Sequence, residues 1–341
     1  MRLVRLLVVC TLLLTACSQA SAAARLPASA TPQPTPSRTP PPSLTPTVTV
    51  TSTPTARPTP LPTATATPLP PTEVVSTCPP PGDVCILDGH FYFKRPIAPE
   101  NNDSVDESYR YGLTQNGARE PHHGVEFPNA QGTPVLAAAD GLVAYAGNDK
   151  ETLLSWIPNY YGNVVVLVHQ VPGLPKPVYT LYAHLFKVGV ERSQRVKAGD
   201  VIGRVGATGA AIGSHLHFEV RLGQDNYRSN RNPDLWLIPH QGQGVLAGHI
   251  IDSSGRSLDG LINVQRVVDG ILNPLPVTAL QTYDTRELMP VHLDDNLQET
   301  FAAGELPAGQ YRLTLHRNGV LYEKLVKIEA GQLTFINFMV K

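Results

Sequence analysis

The sequence predicts an all-β protein, in which an antiparallel β-sheet domain and a C-terminal β-sandwich follow a disordered stalk rich in Pro and Thr. Short apolar runs are separated by Gly, Pro and Asn, helical periodicity is nearly absent, and a long Pro/Thr/Ser-rich segment precedes the first run. The formal net charge of the 341 residues is −1. This balance does not imply nucleic acid as a partner.

The chain begins with a segment typical of an exported protein. Arg2 and Arg5 precede an apolar run at positions 6–14, which ends in Leu14-Thr15-Ala16-Cys17. The run is too short to span a bilayer, so residues 1–16 are interpreted as a signal peptide. The last four residues resemble a bacterial lipobox, which implies a lipid anchor on Cys17 at the outer face of the cytoplasmic membrane or in the cell envelope. The alternative is an ordinary signal peptide with a chance cysteine.

Residues 17–76 form the predicted stalk. Pro, Thr, Ser and Ala dominate it, and it holds too few large apolar residues to bury a core. Proline favours extended polyproline II at about 3.1 Å per residue, so some fifty residues would reach on the order of 100–150 Å.

The number and positions of the cysteines are consistent with an exported protein. Cys10 leaves with the signal peptide and Cys17 becomes the anchor, so Cys78 and Cys85 remain as an even pair. A bridge between them would close a loop of about 8 residues and contribute roughly 2–3 kcal/mol if oxidised. Metal binding by this pair is the weaker alternative, because no second pair exists to complete a site.

The first folded domain is predicted at residues 77–244. Its strand-like runs lie at positions 135–137, 142–146, 163–169, 178–184, 201–205 and 215–221.

The second folded domain is predicted at residues 245–341, as a sandwich of seven or so strands. Turn signals at Asp252-Ser-Ser-Gly255, Leu306-Pro-Ala-Gly309, Asn318-Gly319 and Ala330-Gly331 lie between apolar runs as hairpin connections do. This region resembles the prealbumin-like or carboxypeptidase-regulatory-like domains. No catalytic set is found in it, so a spacer or a binding module is expected.

The most informative motif is the run that includes His215 and His217. Polar and apolar residues alternate strictly there, which places both histidines on one face of a strand together with Glu219 and Arg221. At about 3.3 Å of rise per residue the two imidazoles lie roughly 6.6 Å apart. That separation is too large for both to bind one ion easily, but it suits one ligand and one neighbour acting on water.

A second motif supplies His122 and Glu126, four residues apart. On a straight strand they would be about 13 Å apart, so the chain must bend between them, and Gly124 permits the bend. A zinc hydrolase needs three protein ligands and an open position for water, and His217 would be the third ligand. A single histidine is more often structural than a ligand. Four histidines in three separated motifs favour a metal site.

Seven sequence blocks between about Phe93 and Trp236 resemble, in order, the lysostaphin-type or LytM-like zinc endopeptidases, which cut the peptides of bacterial cell walls. The blocks are His122-His-Gly-Val-Glu126-Phe127, Gly132-Thr-Pro-Val-Leu-Ala-Ala-Ala-Asp140-Gly, Tyr161-Gly-Asn-Val, Thr180-Leu-Tyr-Ala-His184-Leu, Val196-Lys-Ala-Gly199-Asp-Val-Ile-Gly203, Gly206-Ala-Thr-Gly209 and Gly213-Ser-His215-Leu-His217-Phe-Glu-Val.

The resemblance implies a set of roles for these residues. One zinc ion per chain would be bound by His122, Glu126 and His217, while His184 and His215 would flank the metal-bound water and the developing oxyanion. The family has aspartate at the position of Glu126, and glutamate binds zinc at a similar distance of about 2.0–2.2 Å. A glutamate base is missing, so His184 or His215 would take the proton or hold the oxyanion.

The functional expectation is a membrane-tethered zinc endopeptidase that hydrolyses peptide bonds in cell-wall peptidoglycan, with peptidoglycan peptides as its partners. A catalytically weak or inactive family member that binds the wall or regulates other wall hydrolases is the alternative. The retained ligands and flanking histidines favour the enzyme. An adhesion or carbohydrate-binding protein is a third hypothesis, and it would make the histidine motifs accidental.

Overall fold

The structure, a computed structural model, describes residues 84–115, 117–273, 277–284 and 291–341. The predicted signal peptide, lipidation site Cys17, stalk and disulfide partner Cys78 lie outside these residues. Cys85 lies within them and is disulfide-bonded.

The described residues form strands and short 3-10 helices. In chain order the strands are β1 (Val84–Leu87), β2 (Val125–Pro128), β3 (Pro134–Leu136), β4 (Gly141–Asn148), β5 (Asn163–His169), β6 (Val178–Ala183), β7 (Lys187–Val188), β8 (Arg195–Val196), β9 (Val201–Arg204), β10 (His215–Leu222), β11 (Asn230–Arg231), β12 (Gln243–Asp252), β13 (Leu261–Val268), β14 (Ile271–Leu272), β15 (Thr278–Gln281), β16 (Phe301–Pro307), β17 (Gly309–Arg317), β18 (Val320–Ile328) and β19 (Leu333–Val340). The 3-10 helices are Glu107–Tyr109, Tyr227–Ser229 and Pro233–Leu235.

The predicted all-β class is confirmed. Every predicted strand run of the first domain coincides with an observed strand to within a few residues, and β5 matches its predicted range. Among the residues that the structure describes, no helix has both the length and the apolar character needed to cross a membrane.

The first region is built on a seven-stranded antiparallel sheet, in the order β11-β10-β6-β5-β4-β8, with β2 also paired to β10. Strand β5 lies in the middle of the sheet and is Val-rich and buried on both faces, as its nearly continuous apolar sequence requires. A smaller sheet, in the order β3-β9-β7, lies beside it. Because β10 pairs with β2 on one side and β6 on the other, it brings the ends of three strands together.

The C-terminal region contains two sheets, ordered β1-β19-β12-β16 and β14-β13-β17-β18, with β15 on β13. A cluster of buried apolar side chains, including Phe301, Leu313 and Phe338, lies between them. The hairpin predicted at Asn318-Gly319 joins β17 to β18, and both turn residues have positive φ. The turns at Leu306-Pro-Ala-Gly309 and Ala330-Gly331 instead connect strands of different sheets, so the hairpin interpretation was wrong for them.

Two features of the C-terminal region link it to the first. Strand β1, from the N-terminal side of the predicted boundary at residue 244, pairs antiparallel with β19, the last strand of the chain. One core cluster also includes Phe93 and Trp236 from the first region and Val245 and Leu333 from the second. The two regions therefore share a sheet and part of a core.

Candidate metal centre and groove

Three predicted ligand residues meet where β2 pairs with β10. Glu126 lies on β2 directly opposite His217 on β10, and His122 lies in the bend that precedes β2. The predicted bend at Gly124 is present. A Cβ atom there would lie 2.4 Å from the Phe218 carbonyl oxygen and 2.9 Å from the His217 ring. Glycine is therefore required by the close approach of β10.

The ligand atoms of the three side chains form a compact triangle. His122 Nε2 lies 3.0 Å from Glu126 Oε1 and 3.1 Å from His217 Nδ1, and Glu126 Oε1 lies 3.2 Å from His217 Nδ1. In a tetrahedral zinc site with bonds of about 2.0–2.1 Å, ligand atoms lie roughly 3.3–3.4 Å apart. The triangle is smaller by a few tenths of an ångström, so these residues fit a metal ion after a small outward adjustment.

The orientation of His122 leaves one ring nitrogen available for a metal. Its Nδ1–H donates to the Tyr109 carbonyl oxygen at 2.6 Å, which places the lone pair on Nε2, the atom in the triangle. The Tyr109 ring also lies flat on the His122 ring, with 4.1 Å between centroids and 7° between planes. Tyr109 thus fixes both the tautomer and the plane of this candidate ligand.

His217 is oriented by a buried charge network. Its Nε2–H donates to Glu219 Oε1 at 3.0 Å, which leaves Nδ1 free for a metal. Glu219 Oε2 accepts from Arg221 Nε at 2.8 Å, and the Tyr161 hydroxyl also donates to Glu219. Arg221 NH1 also donates a hydrogen bond to Asp225 Oδ1 at 2.9 Å. Both Glu219 and Arg221 are fully buried, so the network is held rigidly behind the candidate ligand.

The electrostatics of the triangle favour a cation. Burial alone would raise the pKa of Glu126, but the surrounding His217, His122 and His215 rings hold it well below its ordinary value. Burial likewise would lower the pKa of His217, yet Glu126 and Glu219 outweigh it and raise that pKa to about 9. Two carboxylates therefore stabilise positive charge at this position.

His184 lies beside the triangle at the end of β6. Its backbone has a φ of 60°, its N–H donates to the Tyr161 carbonyl oxygen, and its Nδ1–H donates to the Thr208 carbonyl oxygen at 2.8 Å. Burial, together with the charge on His217, lowers the pKa of His184 to about 3. The ring is therefore neutral at pH 7 and has its unprotonated Nε2 available.

His215 lies on the same strand face as His217 and interacts with the remaining carboxylate oxygen. Its Nε2 is 2.8 Å from Glu126 Oε2, and its ring centroid lies 4.9 Å from that of His184. The sequence predicted that one of these two histidines is a ligand and the other its neighbour, and in the structure His217 lies in the triangle with His215 beside it. The adjacent His123 is turned away and stacks on Tyr227 at 3.8 Å between centroids.

The triangle lies at the floor of a groove with two parts. A cavity of about 360 Å³ is lined by the triangle, His184, His215 and a side formed by Trp156, Tyr160 and Ala211. A second cavity of about 260 Å³ extends past Glu126 and has a more polar lining. Arg119 lines both parts, and its guanidinium lies 5.0 Å above the ring of Tyr109. The histidine cluster is therefore accessible from this groove.

Sequence reasoning missed the residues that orient the ligands. Glu219 and Arg221 could have been found, because the alternation that predicted β10 already placed them on the face of His217. Tyr109 gave no sequence signal, since it acts on His122 through its backbone carbonyl and a stacked ring, from a separate 3-10 helix.

Three candidate metal ligands on an antiparallel sheet, with two histidines beside them in an open groove, could hold a metal ion next to two groups able to transfer protons. Residues 120–230 match the model of peptidase family M23. The matched segment includes His122, Glu126, His184, His215 and His217.

The chain is also similar in sequence to proteins from several bacteria. It is 40% identical over 111 residues to the cell division protein DipM of Caulobacter vibrioides, which covers 33% of this chain and 16% of that protein. It is 35% identical over 155 residues to the peptidoglycan DD-endopeptidase ShyB of Vibrio cholerae, which covers 41% of this chain and 33% of that protein. The chain thus spans a third or less of the length of these relatives.

Among solved structures, the chain is similar to the catalytic domain of lysostaphin from Staphylococcus simulans. The identity is 30%, with 38% of this chain and 89% of that domain covered, at a TM-score of 0.32.

Proposed function

We propose that this protein is a zinc-dependent endopeptidase that hydrolyses peptide bonds in bacterial cell-wall peptidoglycan. The observation that carries the proposal is the convergence of His122 Nε2, Glu126 Oε1 and His217 Nδ1 within 3.2 Å, at the floor of a groove that also holds two further histidines. The match to peptidase family M23 and the relatives named as peptidoglycan endopeptidases support the same class of reaction.

His122, Glu126 and His217 would hold one zinc ion per chain. When bound, zinc would supply Lewis-acid activation of the attacking water and of the scissile carbonyl. Tyr109 and Glu219 would keep the two imidazoles in the tautomers that this binding needs.

The two flanking histidines are suited to different roles. His184 keeps its proton on Nδ1, bonded to Thr208, so its Nε2 can accept a proton from the attacking water. His215 Nε2 lies within hydrogen-bond distance of Glu126 Oε2, which places this ring where its N–H could donate a hydrogen bond to the developing oxyanion.

The groove suits a peptide substrate with an acidic group near the scissile bond. Trp156 and Tyr160 offer an apolar wall on one side of the cluster. Arg119 lines both parts of the groove and lies over Tyr109, where its charge faces solvent near the triangle. A cation at this position would attract the carboxylates that peptidoglycan peptides carry.

The membrane tether is part of the proposal and rests on the lipobox-like sequence that ends at Cys17. Cys17→Ser should release the protein from membrane pellets, because lipid on this sulfur would be its attachment. Processing of the variant at the same site, followed by retention in the membrane fraction, would show that the anchor is elsewhere.

The peptidase proposal is tested by mass spectrometry of muropeptides released from purified walls. The zinc-loaded protein should convert cross-linked muropeptides to their products, and the chelated protein should not. A wild type that binds zinc but releases no product from any wall type would favour the alternative, a protein that binds the wall or regulates other hydrolases.

A further inference from the structure

Residues 105–112, which we call the strap, lie along the ligand His122. Within the strap, Tyr109 orients the His122 ring through its carbonyl oxygen and through ring stacking. The N–H of Gly112, the last strap residue, donates to the backbone oxygen of His122 at 2.8 Å. The position of His122 therefore depends on the position of the strap.

The first end of the strap is held by the C-terminal region. The N–H of Val105 donates to both carboxylate oxygens of Glu305, at 3.1 and 3.2 Å, and Glu305 is also paired with Arg95. The next residue, Asp106, donates its N–H to the backbone oxygen of Glu126 at 2.9 Å. The Glu305 side chain is only 7% exposed, and it holds the N–H of the buried Val105, one residue before the contact between Asp106 and Glu126.

The second end of the strap is held by a different part of the C-terminal region. The carbonyl oxygen of Gly112 accepts from the N–H of Asp284 at 3.0 Å. Gly112 has a φ of 75°, and a Cβ atom on it would lie 2.5 Å from the ring of Tyr283. Tyr111 packs edge-on against the same ring, with 5.3 Å between centroids, and its hydroxyl accepts from the N–H of His292 at 3.0 Å.

We propose that the C-terminal region positions the metal ligands by fixing both ends of the strap. Glu305 and Tyr283 are the positioning residues, and they act on Glu126 and His122 through Val105 and Gly112. The contacts join residues about 170 to 200 positions apart in sequence and are continuous with the shared core of the two regions. A mere spacer or separate binding module would not require them.

The expected consequence is a loss of metal affinity when the strap loosens. Residues that orient metal ligands typically contribute about 10–100-fold to affinity or activity. The strap residues act one step further from the ion, so we expect the lower part of that range, roughly tenfold. The accompanying loss of turnover rests on the proposed function, whereas the loss of zinc affinity does not.

The experiment compares the zinc dissociation constants of Glu305→Ala, Tyr283→Ala and the wild type, in the full chain, by competition with a chromophoric chelator. Val264→Ala is the matched control, because Val264 is buried in the C-terminal core but is not among the residues that hold the strap. Both strap variants should bind zinc about tenfold more weakly, and the control should bind zinc as the wild type does, at a comparable loss of thermal stability.

Two results would overturn the proposal: wild-type zinc affinity in both folded strap variants, or an equal loss of affinity in Val264→Ala. Should an alanine variant not fold, Glu305→Gln keeps the volume and one acceptor, and hydrogen exchange at the Asp106 and Gly112 amides measures the strap directly. Glu305→Gln should show faster exchange at the Asp106 amide than Val264→Ala does, because Glu305 holds that end of the strap. Unchanged exchange there would count against the strap. A wild type that binds zinc without cleaving walls would refute the proposed function alone.

Discussion

Replacing Glu219 with glutamine tests whether the buried network behind His217 sets the metal site. The carboxylate accepts from His217 Nε2 at 3.0 Å, from Arg221 Nε at 2.8 Å and from the Tyr161 hydroxyl. A glutamine has one acceptor and one donor end, so it cannot accept on both sides. Either its NH₂ group faces Arg221, or it faces His217 and forces the imidazole proton onto Nδ1, the atom that would bind the metal.

These contacts give the expected size of two effects of Glu219→Gln, one on stability and one on zinc affinity. Removing the Glu219 carboxylate from the fully buried Arg221, which keeps its bond to Asp225, should lower the free energy of unfolding of the zinc-free protein by at most about 3–5 kcal/mol. Loss of the correct His217 tautomer should weaken zinc binding by roughly 10–100-fold. Urea unfolding of the chelated protein measures the first effect, and chelator competition on the folded protein measures the second.

Asp225→Asn is the matched control for this prediction. Asp225 accepts from Arg221 NH1 at 2.9 Å and is not among the residues that bond to His217. Asp225→Asn should therefore lower the free energy of unfolding somewhat while leaving the zinc affinity unchanged. A folded Glu219→Gln protein whose zinc affinity lies within about twofold of the wild type would refute the argument that this network fixes the tautomer.

Four further predictions concern single side chains. His217→Ala should abolish stoichiometric zinc on elemental analysis while the fold is retained by circular dichroism, because it removes one corner of the triangle; full zinc occupancy would contradict the assignment. His184→Ala and His215→Ala should keep zinc but lower turnover by about 10²–10⁴, the usual range for a general acid or base; equal loss of zinc in both would show that the roles are misassigned. Glu126→Asp should change the rate of wall cleavage only modestly, because both carboxylates reach zinc after a small adjustment, and an active variant beside an inactive wild type would be the contrary result. Burial raises the pKa of Glu299 to about 8, so the folded state binds the carboxyl proton more tightly than the unfolded state does. The free energy of unfolding of the wild type should therefore fall, relative to that of Glu299→Gln, by roughly 2–4 kcal/mol between about pH 5 and pH 8. Urea unfolding would measure this change, and a difference that stays constant with pH would contradict it.

The composition of the candidate site could be predicted from the sequence because its parts are local patterns. Strict alternation placed His215 and His217 on one face of β10, and the four-residue spacing of His122 and Glu126 around a glycine indicated a bend. The strand positions followed from the apolar runs for the same reason. The sequence therefore contained both the strands and the side chains that the structure brings together.

The contacts that hold the site in place had no such local pattern. Glu305 contacts Val105 across 200 positions, and nothing near either residue indicates the other. Strand β19 pairs antiparallel with β1 and parallel with β12, and both pairings join residues far apart in sequence. They depend on which apolar surfaces pack together in the fold, not on any local pattern. This is also why turns that look like hairpins, such as Leu306-Pro-Ala-Gly309, can connect two sheets instead.

The pairing of β1 with β19 would have a mechanical consequence under the N-terminal tether proposed above. Strand β1 is the first described strand, lies at the edge of its sheet, and is joined to β19 through four residue pairs, from Val84 with Ile336 to Leu87 with Leu333. Tension applied through the preceding chain enters the fold at this strand. Such tension would have to detach β1 from β19 before it could pull on the residues that surround His122, so the four residue pairs between these strands would shield the metal-ligand triangle from force.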